Sequence, residues 1–259
     1  SYTFAPPIRE FANEGDVFDE PVPYKYDSVA EGLVDYYAHI TALDEQFGRL
    51  VDSLAQADLR DNTVLAYTSD HGDSFWSQGC NQKGNPYEES INVPLTVQWP
   101  DRIPEGRVID APISMVDLAP TLLGLTGIEI PGEMEGTDCS ALTRGEEGTA
   151  PEAALLMSVD HGWRGLRTER YTYVRVTEEF MEKHAPPQGP EWLLFDNKED
   201  PYQLKNRVYD PDYQEIVSSL DEELRNRLDD INDPFHDEAG EYVVELEIQS
   251  QWGEINEWR

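Results

Sequence analysis

This 259-residue chain is poor in cysteine, and poor in lysine relative to its acidic residues. With only Cys80 and Cys139, it is neither a disulfide-stapled secreted scaffold nor a carrier of a four-cysteine zinc site. Nineteen Lys and Arg stand against 53 Asp and Glu, for a net charge of −34. A surface that acidic repels nucleic acid and anionic membranes, which excludes both as partners. No apolar run approaches the ~20 residues that cross a bilayer, and Ser1 does not open a signal peptide, so the expectation is a soluble chain.

What is there argues for a folded protein. Hydrophobic residues make up 39% and aromatics 10%, spread along the whole length, which a disordered acidic tail would not show. The excess of acidic residues over lysine suits a protein kept soluble in concentrated salt, a cytoplasmic protein of a halophile. The length allows one large domain or two small ones, with a core that needs no staples.

Residues 1–27 are rich in Pro and Asp and read as an irregular lead-in. Ser28 and Glu31 form a capping box. Leu33, Tyr37, Ile40, Leu43, Phe47, Leu50, Val51 and Leu54 then recur at helical spacing, predicting an amphipathic helix to about Ala57. Strand-type runs follow at Thr63–Ser69 and Pro94–Trp99, and residues 115–126 suit a helix capped by Gly127. This order predicts an α/β layer with a parallel sheet. Residues 132–152 read as a loop or linker. Short β-type runs at Leu155–Val159, Gly165–Arg167, Tyr171–Val176 and Trp192–Phe195, with an amphipathic helix at Glu215–Leu228, predict a small antiparallel sheet with a helix against it. Tyr242–Ile248 reads as one more strand. The chain thus divides into residues 1–131 and 132–259.

The chemistry concentrates after the first strand. Asp70-His71-Gly72-Asp73 stands at a strand's C-terminal end, where open α/β sheets place ligands. Asp supplies a hard oxygen and His a nitrogen, a pair able to hold a divalent cation, and Gly72 would let the backbone turn sharply beside it. A plain turn with Asp70 as its cap accounts for the same residues. Lys83, in a Gly- and Asn-rich stretch, can hold an anionic oxygen as a point charge. Gln78 and Asn81 can donate hydrogen bonds. Of Glu88 and Glu89, one is expected in a salt bridge. Arg164, beside His161 at a strand boundary, could face an anionic substrate. His39 reads as a helix-surface residue, and His184 and His236 receive no role.

Taken in order, these pieces resemble the sulfatase family of the alkaline phosphatase superfamily. The matching segments are Tyr37-x-x-Ile40-x-x-Leu43-Asp44, Gly48-Arg49-Leu50, Asp61-Asn62-Thr63, Thr68 through Asp73, Lys83 through Ser90 and Val93-Pro94-Leu95. Asp117 through Thr121, Arg167 through Tyr171, Leu194-Phe195-Asp196 and Asp200-Pro201 complete the series. The resemblance spans about residues 28 to 210. It implies an alkaline phosphatase-like α/β fold, with a mixed, mostly parallel sheet and a small antiparallel C-terminal α+β subdomain. It implies metal-assisted hydrolysis of a sulfate monoester, on a small molecule or a sugar. Asp70 and His71 would be metal ligands, usually to calcium, and Lys83 the catalytic contact to the sulfate. Gln78 and Arg164 remain candidate substrate contacts. The family's nucleophile is a formylglycine made from Cys or Ser in a Cys-x-Pro-Ser-Arg segment, which is not found here. The resemblance therefore implies the C-terminal half of a sulfatase, inactive as residues 1–259 alone. Two rivals are a phosphonate monoester or phosphodiester hydrolase of the same superfamily, and a non-catalytic acidic cation-binding remnant.

Overall fold

The computed structural model describes residues 29–75, 77–80, 83–158, 162–177, 190–233 and 235. The helical spacing of Leu33 to Leu54 produces α1 (Val29–Gln56). Its expected cap, Ser28, lies outside the described residues, as does the strand expected at Tyr242–Ile248. The apolar row of α1 is only thinly covered: Phe47 packs its ring on Tyr67 and Tyr36 on Phe75, whereas Tyr37 and Leu43 lie open.

A single 3-10 turn (Arg60–Asn62) leads into β1 (Leu65–Thr68), which pairs with β2 (Leu95–Gln98) in register Leu65 to Gln98 through Thr68 to Leu95. Arg60 Nη2 donates to Gln98 Oε1 at 2.8 Å and Trp99 Nε1 to the Asp61 carbonyl at 3.1 Å, which locks the turn to the far end of β2. The pair is antiparallel, and so is every strand pair among the described residues, where the sequence predicted parallel neighbours. Among the described residues between β1 and β2 there are loops, a 3-10 turn (Ser77–Gly79) and the one-turn α2 (Glu88–Ile91), and none forms the crossover helix that parallel strands require.

The helix α3 (Met115–Thr126) starts where Asp117 Oδ2 accepts the Ser114 N–H at 2.8 Å, and it ends at Gly127 in the left-handed conformation. The other oxygen of Asp117 accepts the Thr137 N–H at 2.7 Å and pins the following segment to α3. The stretch 132–152 is not all loop, because it contains α4 (Ser140–Arg144). Asp138 Oδ1 accepts the Ser140 N–H at 2.8 Å and Gly145 closes the end at φ +82°. Five residues are too few to leave a readable helical period.

The strands β3 (Ala153–Ser158), β4 (Trp163–Thr168), β5 (Tyr171–Val176) and β6 (Glu191–Asp196) form an antiparallel sheet in chain order, and α5 (Gln214–Asp230) packs on one face. Alternation along the strands sends Leu166, Tyr173 and Leu194 toward Val217, Leu220 and Leu224 of α5. The opposite face carries Trp163, Val174, Val176, Leu193 and Phe195, and closes on Cys80 and Tyr87 from the loop before α2. A sheet buried on both faces holds charge only where it is paired. Arg175, almost fully buried, bonds Asp221 at 2.6 Å and Glu191 at 3.3 Å, and the Tyr173 hydroxyl donates to Asp221 at 2.7 Å. Among the described residues no helix is long and apolar enough to cross a membrane.

Candidate active site

Where β1 ends, the backbone tightens. Asp70 Oδ1 accepts the His71 N–H at 3.0 Å, and the Ser69 hydroxyl donates to the His71 carbonyl at 2.9 Å. Both side chains are left facing solvent, Asp70 at 84% exposure and His71 at 41%. His71 Nδ1 lies 2.8 Å from the Gly72 carbonyl, and since a carbonyl only accepts, Nδ1 carries a proton. His71 Nε2 then faces Asp70 Oδ2 at 3.4 Å. Gly72 is needed for close approach and not for a sharp turn: its φ is not in the left-handed range, but a Cβ there would overlap the Glu89 carbonyl oxygen. Its N–H donates instead to the Ser90 carbonyl at 2.9 Å, docking the Asp70–His71 loop on α2.

Lys83 lines the same cavity as Asp70 and His71. It is exposed and opens the turn that runs into Tyr87. The Gly84 N–H donates to the Ser90 hydroxyl at 3.2 Å, and Asn85 Nδ2 donates to the Ser74 hydroxyl at 2.8 Å in a buried bond. A cavity of about 660 Å³ results, lined among others by Asp70, His71, Lys83, Trp163, Arg167 and Glu169. Its size is that of a pocket for a small ligand, and its polar groups converge from both parts of the chain.

Two candidates from the sequence are placed elsewhere. Gln78, at φ +56°, donates its amide to the Tyr202 carbonyl at 2.6 Å and is not among the residues lining the cavity. Arg164 is a correction: strand alternation turns it to the α5 face, where it is buried against Asp233 at 3.1 Å and stacks over Phe235. Asn81 and His161 lie outside the described residues, as do His184 and His236, while His39 is an exposed helix residue.

Arg167 lies on the cavity side of β4 and was not singled out from sequence. Its guanidinium grips Glu88, Nε to Oε1 at 2.6 Å and Nη2 to Oε2 at 3.2 Å. Glu88 is thus the salt-bridged member of the Glu88–Glu89 pair. The signal is the Trp163/Gly165/Arg167 alternation, which places Arg167 four residues on from the buried Trp163 and on the same face. Neither cysteine suits a nucleophile's role: burial and the nearby Glu89 push the Cys80 thiol up to about 12, and burial together with Asp117 raises Cys139. Among the described residues no three His, Cys, Asp or Glu side chains converge as a metal site.

A family model described as "Sulfatase" matches residues 5–128, and one described as "N-sulphoglucosamine sulphohydrolase, C-terminal" matches residues 78–230. The chain belongs to the sulfatase family. It is 36% identical to an ulvan-active sulfatase of Formosa agariphila over 79% of its own length and 40% of the relative's. It is 34% identical to an endo-4-O-sulfatase of Bacteroides thetaiotaomicron, covering 81% of this chain and 44% of that one. The chain therefore spans less than half the length of these curated relatives. A solved structure of a protein in complex with its substrate D-glucosamine-2-N,6-O-disulfate matches at a TM-score of 0.65 and 26% identity, over 79% of this chain and 42% of that one. The phosphonate monoester hydrolase of Agrobacterium radiobacter matches at 0.61 and 25%, over 74% and 40%.

Proposed function

We propose that this chain carries the leaving-group side of a sulfuric ester hydrolase site, acting on sulfate monoesters of sugars. The observation that carries the reading is the meeting of Lys83, Asp70 and His71 in one cavity of about 660 Å³. In a protein of net charge −34, an exposed ammonium at the mouth of an otherwise acidic surface gives an anionic ester a local well. Lys83 holds the sulfate oxygens as a point charge, and stabilises the negative charge that grows on the ester oxygen as the alcohol leaves. Asp70 and His71 fit two places in the shell of a divalent cation, because one offers a hard oxygen and the other an imidazole nitrogen fixed by the bond from Nδ1 to Gly72; calcium is the ion that the family resemblance implies, not one that this donor pair selects. Bound there, the cation would supply positive charge opposite the sulfate. The nucleophile belongs to the part of a sulfatase that this chain does not match, and residues 1–259 alone are expected to turn over little or nothing. The division at residues 131 and 132, and an acidic surface suited to concentrated salt, belong to the same reading.

The test is a substrate panel on the full-length enzyme that carries this chain: 4-nitrophenyl sulfate, sulfated monosaccharides and a phosphonate monoester. Sulfate esters are expected to be preferred, and Lys83→Ala to lower kcat/KM on them by about 10²–10³-fold. Chelation should abolish turnover and calcium restore it. Preference for the phosphonate, or full activity of the Lys83 variant, would overturn the reading.

A further inference from the structure

The turn that carries Lys83 is held from two sides. Within the first part of the chain it has, besides its local backbone bonds, the Gly84 to Ser90 bond, the Asn85 to Ser74 bond, the Tyr87 N–H to Asn85 Oδ1 bond at 3.3 Å and the Asn92 Nδ2 to Glu88 Oε2 bond at 3.0 Å. Four further bonds reach it from the four-stranded sheet and the loop after β6. Trp163 Nε1 donates to the Gly84 carbonyl at 3.3 Å, one residue beyond Lys83. Arg167 forks the Glu88 carboxylate, and Gln203 Oε1 accepts the Glu88 N–H at 2.9 Å, an otherwise open donor in the first turn of α2. Beneath them the Tyr87 ring lies 5.8 Å from that of Phe195.

Gln203 is the telling member. It sits at φ +52°, a conformation costly for any residue but glycine, and it is almost fully buried. Its amide nitrogen donates to Thr172 Oγ1 at 3.2 Å and to Asn197 Oδ1 at 2.9 Å, which orients its carbonyl oxygen onto Glu88 N. A strained backbone held by two side-chain bonds so that one atom meets a helix end is a built contact. What it secures is α2, and α2 is the post of the whole site: the Ser90 hydroxyl takes Gly84 N–H beside Lys83, while the Ser90 carbonyl takes Gly72 N–H beside His71.

We propose that Trp163, Arg167 and Gln203 are positioning residues of the hydrolytic site, acting through Glu88 and the 83–88 turn to fix the Lys83 ammonium at the sulfate. The proposal rests on the reading of Lys83 given above. It makes the C-terminal sheet a working part of the catalytic machinery, since a displacement of about 1 Å at such a group costs up to ~10²-fold in rate.

The experiment is a double-mutant cycle in the full-length enzyme with 4-nitrophenyl sulfate as substrate. Arg167→Met and Trp163→Phe are each combined with Lys83→Ala, and melting temperature is followed in parallel. Trp163→Phe keeps an aromatic ring in place and removes the N–H, so it carries the test should Arg167→Met fail to fold. Each single variant is expected to lower kcat by about tenfold or more. Arg167→Lys should recover part of the loss by restoring the charge without the fork. In the Lys83→Ala background the same substitutions should cause little further loss. Losses that multiply in both backgrounds, or single variants with wild-type kcat, would overturn the proposal. Wild-type activity in Lys83→Ala itself would instead overturn the underlying reading, so the two failures are told apart.

Discussion

Leu224 of α5 and Leu43 of α1 occupy comparable apolar positions on amphipathic helices, yet Leu224 is fully buried and Leu43 is 56% exposed. The helices differ in where their cover lies. The cover of α5 is a sheet of four consecutive strands, all within about 60 residues of it in sequence, and the helix closes that sheet's face with Val217, Leu220, Leu224 and Leu228. The neighbours of α1 among the described residues are a two-stranded ribbon and a few rings, too narrow a surface for a 28-residue helix. An amphipathic pattern states that a face will be covered. It does not state by what.

The largest expected effect comes from removing a charge sealed under α5, set against one in the open. Asp233→Ala strips the buried Arg164 of the carboxylate at 3.1 Å and is expected to cost about 3–5 kcal/mol in chemical denaturation. Glu146→Ala, which removes the half-open partner of Arg144, is expected to cost less than ~1 kcal/mol. Equal losses would mean that the two pairs are equally solvated. Next in size is a pair of apolar truncations. Leu224→Ala should cost about 2–5 kcal/mol and Leu43→Ala less than ~0.5 kcal/mol. A large loss at Leu43 would show that α1 is covered in solution.

A titration sharpens the comparison with a smaller effect. The hydrogen bond from Arg170 holds the Asp196 carboxyl below the ordinary carboxylate range. Burial pushes Asp221 upward, but the bonds from Tyr173, Arg175 and Arg225 outweigh it and leave it lowered. A carboxyl lowered in the folded state stabilises fully above its unfolded value, near ~4, and loses that contribution as pH falls through the folded value. The near-UV signal of Tyr173 and the sheet tryptophans should therefore hold from pH 7 to about 5 and collapse below ~4. Asp196→Asn and Asp221→Asn should flatten that slope, and an unchanged acid midpoint in both variants would contradict it.

Much of this was readable in advance because it is periodic or local. The spacing of Leu33 to Leu54 anticipated α1 to within a few residues, and the alternating runs anticipated all four strands of the C-terminal sheet. Asp70, His71 and Lys83 were legible as a residue pattern, and the structure brings the three to one cavity. The pairing of β1 with β2 was not legible, since strand direction depends on the path between strands and not on the strands themselves. Nor was the five-residue α4, which is shorter than two turns. Arg164 and Arg167 show the limit most plainly. Both are arginines on one strand, three residues apart. Period two sends them to opposite faces, one to a buried ion pair behind α5 and the other to the cavity wall.

By itself the sequence determined most of the elements, the strongly acidic composition and the residue types that meet in the cavity, because spacing and side-chain chemistry are carried in the chain. Only the tertiary structure decided which groups share a cavity, which charges are sealed in the core and what holds the Lys83 turn in place. Those are contacts between segments about 70 to 125 residues apart, such as Arg167 with Glu88, Gln203 with Glu88 and Gln78 with Tyr202, and no local pattern encodes a partner at that distance.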